Sequence, residues 1–78
     1  MKKTNIGVNM MTEEFLENTI KVQRAKMNLT QEKLAELVGV TRKTINTIEN
    51  GKFIPSTMLA IKLARIFRVP VEELFILK

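Results

Sequence analysis

Arg42, Lys43, Asn46, Thr47 and Asn50 sit close together in the chain, and all act by offering hydrogen bonds or a methyl group to a partner. Wound as a helix, they spread over roughly 140° of one face, with Ile45 and Ile48 opposite, near 300° and 240°. The chemistry such a face can do is recognition. Arg and Lys reach O6 and N7 of guanine, Asn pairs with N6 and N7 of adenine, and a Thr methyl touches that of thymine. The competing reading is a solvated polar face, which most amphipathic surface helices show. Two details weigh against it. Asn and Thr are indifferent helix formers for a merely exposed face. Arg42 and Lys43 directly follow a good N-cap, Thr41, where the helix dipole disfavours each cation by roughly 0.3–1 kcal/mol. Local rules broken together on one face suggest an anion arriving from outside.

The rest of the composition removes most catalytic chemistry. The chain has no His, Cys or Asp, and Ser56 is its only serine, so hydrolytic triads, thiol nucleophiles and most metal sites cannot be assembled. Glu13-Glu14 and Glu72-Glu73 stand near expected helix starts, where acids complement the dipole. No enzyme, metal or cofactor is expected. Thirteen Lys and Arg against eight acidic residues leave a net charge of +5 and a pI near 9.9, which favours a polyanionic partner. Nothing reads as a signal peptide or a membrane span, so a soluble, cytoplasmic protein is expected.

Elements that would position the polar face follow from caps and stops. Residues 1–11 lack a sustained period and read as a flexible N-terminal arm, leaving 12–78 as the folded domain. Thr12 caps an expected first helix running to about Asn28. Thr30 caps a second, QEKLAELV, with Leu29 and Leu34 spaced as a hydrophobic staple and Gly39 as its stop. Thr41 caps the third, and Val40 with Ile45 repeats the staple. Ser56 caps a fourth whose Leu59, Ala60, Leu63, Ala64 and Phe67 form one stripe, and Pro70 opens a short fifth, PVEELF. The expected fold is all-α, a compact bundle of five short helices. Two helices joined by a tight Gly-containing turn, the second presenting its N-terminal residues outward, make a helix-turn-helix suited to a major groove.

The run LTQEKLAELVGVTRKTINTIENGK, followed by Pro55, Ser56 and LAIKLARIFRVPVEELF, resembles the Cro/C1-type (XRE-like) helix-turn-helix regulators, a family that includes the lambdoid phage repressors. The resemblance covers roughly residues 18–75 and is closest to short, single-domain members. It implies a lambda-repressor-like DNA-binding domain with helix 41–50 as the recognition helix, and a sequence-specific transcriptional regulator, a repressor, acting on double-stranded DNA. By position, Thr41, Arg42, Lys43 and Thr47 match family residues at base edges or nearby phosphates, and Asn46 is an addition to them. Gln31 matches a glutamine that braces the backbone at the start of helix two, and Asn50 and Lys52 match loop positions that meet phosphate. Arg24 and Glu49 match a pair that forms a salt bridge. Helical arithmetic agrees on the last, since Glu49 falls near 340° and opposes the dipole, so a cationic partner explains it better than solvent.

The chain runs out at Phe75-Ile76-Leu77-Lys78, three consecutive apolar residues at an end. They are either core or the contact of a homodimer, which would set two recognition helices roughly 34 Å apart. A different function class fits the same apolar tail: a protein-interaction module, such as an antitoxin or co-regulator, built on the same fold.

Overall fold

The computed structural model describes residues 14–78. Its elements run β1 (Leu16–Asn18), α1 (Ile20–Lys26), α2 (Gln31–Val38), α3 (Arg42–Glu49), α4 (Thr57–Phe67), α5 (Val71–Leu74) and β2 (Phe75–Leu77). The arm 1–11 and the proposed cap Thr12 lie outside the described residues.

Local chemistry accounts for where α2, α3 and α4 begin. In each, a hydroxyl at the N-cap accepts from a backbone N–H of the first turn: Thr30 from Lys33 at 2.9 Å, Thr41 from Thr44 at 3.2 Å, and Ser56 from Leu59 at 3.2 Å. Four helices also end alike, on a left-handed residue: Asn28, Gly39, Gly51 and Arg68. At each, the following N–H reaches back to a carbonyl of the last turn: Leu29 to Arg24, Val40 to Ala35, Lys52 to Thr47 and Val69 to Ala64. Gly39, at φ 80°, makes the turn between α2 and α3 short enough to leave those helices packed together.

Two expectations are corrected. The first helix does not run from Thr12 to Asn28; it begins at Ile20, and Leu16–Asn18 is instead a strand. This strand pairs antiparallel with Phe75–Leu77, in the register Leu16 to Leu77, Glu17 to Ile76 and Asn18 to Phe75. Backbone bonds extend the pairing on both sides, between Phe15 and Lys78 and from Thr19 N–H to the Leu74 carbonyl. The expected bundle of five short helices stands, and it carries in addition a two-stranded sheet that closes the ends of the described chain on each other. Pro70 is the N-cap of α5 rather than its first residue, and Phe75 leaves that helix for the strand.

Pairing across the sheet decides the fate of the tail. Phe75 is buried in the core, Ile76 is half-buried and Leu77 is exposed. The core gathers Ile20 of α1, Leu34, Ala35 and Val38 of α2, Ile45 and Ile48 of α3, Leu59, Leu63, Ala64 and Phe67 of α4, and Leu74 of α5. Both staple residues, Leu29 and Val40, pack against its edge. With Ile45 and Ile48 anchored there, the opposite face of α3 must look outward.

Candidate nucleic-acid interface

A nearly buried ion pair holds α3 in place from within. Arg24 on α1 donates from Nε to Glu49 Oε2 at 2.7 Å and from a terminal nitrogen to Glu49 Oε1 at 3.2 Å, with side chains 15% and 5% exposed. The other guanidinium nitrogen reaches the Leu29 carbonyl at 2.9 Å. One planar fork thus ties α1, the start of α2 and the end of α3, which a lysine's single ammonium could not do.

From Glu49 the network climbs to the surface. Gln31 Nε2 donates to Glu49 Oε1 at 3.0 Å, Asn46 Nδ2 reaches Gln31 Oε1 at 3.5 Å, and Asn50 Nδ2 donates to Asn46 Oδ1 at 3.2 Å. Three of the sequence-derived residues are therefore linked to one another and, through Glu49, to the core. Gln31 spends an amide hydrogen inward, so its role is to orient Asn46 as well as to stand at the start of α2. Amides held this way lose little rotamer freedom when a partner arrives.

Thr41 and Thr47 turn their hydroxyls back on the helix. Thr41 caps α3, and its hydroxyl also meets that of Thr44 at 3.1 Å. Thr47 Oγ1 shares its proton between the Lys43 and Thr44 carbonyls, at 3.1 and 2.9 Å. Their methyl groups, not their hydroxyls, are left for an incoming partner. Arg42, Lys43 and Lys52 are exposed, and among the described residues none of the three is in an ion pair. The face therefore offers three uncommitted cations beside a chain of ordered amides.

Asn18 and Phe53, which carry no local signal in the sequence, also stand beside α3. Asn18 donates from Nδ2 to the Ile48 carbonyl at 2.9 Å and accepts from the Ile20 N–H at 3.2 Å. It thereby adds a second donor to the Ile48 carbonyl, beside the Gly51 N–H, and starts α1 at once, a role hidden while residue 18 was taken as mid-helix. Phe53, in the loop after α3, stands beside Lys43, Thr44, Thr47 and Lys52 with half its surface exposed.

Residues 20–74, which hold α1 to α5, match the helix-turn-helix family. The chain belongs to the Cro/C1-type helix-turn-helix family. An uncharacterized HTH-type transcriptional regulator of Archaeoglobus fulgidus is 54% identical to this family member over 57 residues, 73% of this chain and 80% of the relative. Another, from Methanocaldococcus jannaschii, is 51% identical over 61 residues, 78% of this chain and 92% of the relative. Among solved structures, the restriction-modification controller protein C.AhdI of Aeromonas hydrophila superposes with a TM-score of 0.64 at 30% identity, over 69% of this chain and 82% of that one. In this Cro/C1-type chain, α2 and α3 are the two helices of the motif and Gly39 lies in the turn. No helix of the described residues is long and apolar enough to cross a membrane.

Proposed function

We propose that the protein is a sequence-specific, double-stranded DNA-binding transcriptional regulator of the cytoplasm, which lays α3 in the major groove and represses by occupying a promoter as a homodimer. The observation that carries the reading is the exposed Arg42 and Lys43 at the start of α3, unpaired among the described residues, on a helix fixed from behind by the Arg24–Glu49–Gln31 network. Cations there are unfavourable to the isolated helix and become favourable once an anion or a guanine edge approaches. Asn46 and Thr47 stand beside them as base-edge contacts, while Gln31, Thr41, Asn50 and Lys52 flank the backbone of the DNA. Phosphate contacts of this kind set affinity and register, and the base contacts set sequence. Relatives and a solved neighbour described as transcriptional regulators and a controller protein support the same reading.

For the dimer, Leu77 is the part of the tail that keeps an exposed apolar side chain, since Phe75 is consumed by the core. Selection of bound sequences from random duplex DNA tests the proposal. It should return a two-fold symmetric site whose half-sites lie about one helical turn apart; a single unpaired motif would remove the dimer, and no enriched sequence would remove specific recognition.

A further inference from the structure

Between α3 and the loop that follows it lies a cleft lined by Thr41, Lys43, Thr44, Thr47, Lys52 and Phe53. Its floor is less polar than its residue names suggest. The hydroxyls of Thr41, Thr44 and Thr47 are turned to one another or to the helix backbone, leaving methyl groups beside a phenyl ring that is 49% exposed. Two lysines, Lys43 and Lys52, line it as well, neither in an ion pair among the described residues. Apolar surface beside two cations suits one repeating unit of a nucleic-acid strand, a deoxyribose with its phosphates.

Resting on the DNA-binding reading above, we infer that Phe53 is a DNA-contact residue, its ring packed against a deoxyribose whose flanking phosphates are held by Lys43 and Lys52. The contact is shape-based and makes no base-edge hydrogen bond. Phe53 lies outside the packed core, so its removal leaves the fold intact.

The test uses the full chain and a duplex selected as above. Wild-type protein is measured first, because failure to bind any selected duplex sinks the DNA-binding reading and not this inference alone. Given binding, Phe53→Ala should weaken it by about tenfold with an unchanged thermal midpoint. Its salt dependence should match wild type, since no phosphate contact is lost, whereas Lys52→Ala should lower the slope of log K against log salt by about 0.9. Each sugar of the duplex is then replaced in turn by its 2′-O-methyl form. The wild type should lose affinity at one sugar per half-site where Phe53→Ala does not respond. Equal affinity of Phe53→Ala and wild type, or identical sugar profiles for the two proteins, would overturn the assignment.

Discussion

Arg24 and Arg42 show how the same side chain serves opposite ends here. Arg24 is nearly buried and fully committed, with bonds to both oxygens of Glu49 and to the Leu29 carbonyl. Removing it leaves Glu49, 5% exposed, as a buried carboxylate holding only Gln31, and breaking such a pair typically costs roughly 3–5 kcal/mol. Arg24→Ala should therefore lower the denaturation midpoint sharply, and Arg24→Lys should recover only part of the loss because the fork is gone. A melting curve for Arg24→Ala matching wild type would contradict the bracing role. Arg42 behaves in reverse. Arg42→Ala should leave stability unchanged or raise it by up to about 1 kcal/mol, as the helix start sheds a cation the dipole disfavours. The Arg24–Glu49 tie was legible in the sequence because an acid near a helix C-terminus breaks a local rule and asks for a cationic partner. Asn18 broke none, and the partners that define it, the carbonyl of Ile48 and the paired strand β2, are remote in sequence.

At the scale of elements, what was legible was what is local. Caps at Thr30, Thr41 and Ser56 and stops at Gly39 and Gly51 depend on residues within one turn, and these boundaries stand in the structure. The sheet depends on two short segments meeting from opposite ends of the described chain. Leu16 and Ile20 are spaced four apart, as on a helix face, and nothing nearby reveals that Phe75–Leu77 will be the partner. Asn18→Ala tests the consequence, because it leaves the Ile20 N–H without its acceptor and removes one of two donors to the Ile48 carbonyl, which keeps the Gly51 N–H. It should cost about 1–3 kcal/mol in chemical denaturation, the range for leaving a partly buried polar group unpaired. The end of α4 offers a gain. Arg68 takes the left-handed position, at φ 58°, that glycine fills after α2 and α3. Arg68→Gly should raise the thermal midpoint, by roughly 0.5–1 kcal/mol of relieved strain net of added unfolded-state entropy.

For the whole molecule, a positive balance of +5 and a cationic face turned away from the core make binding to a polyanion strongly dependent on salt. The family and the helical architecture were legible because they rest on ordered motifs along the chain, from Thr30-Gln31 to Glu49-Asn50-Gly51. The position of Phe53 beside Lys43 and Lys52 was not, because it depends on how the loop after α3 folds back along that helix. If the start of α3 faces DNA while its far end is tied inward, loss of either cation there weakens binding without weakening the fold. Affinities of wild type, Arg42→Ala and Lys43→Ala for a selected duplex should be measured by fluorescence anisotropy at one fixed salt concentration, alongside their thermal midpoints. Arg42→Ala should bind about 1–3 kcal/mol more weakly, as for the loss of a base-edge contact, and Lys43→Ala more weakly as well, as for the loss of a phosphate contact, both with stability equal to or above wild type. If both variants bind as tightly as wild type, α3 is not the reading helix.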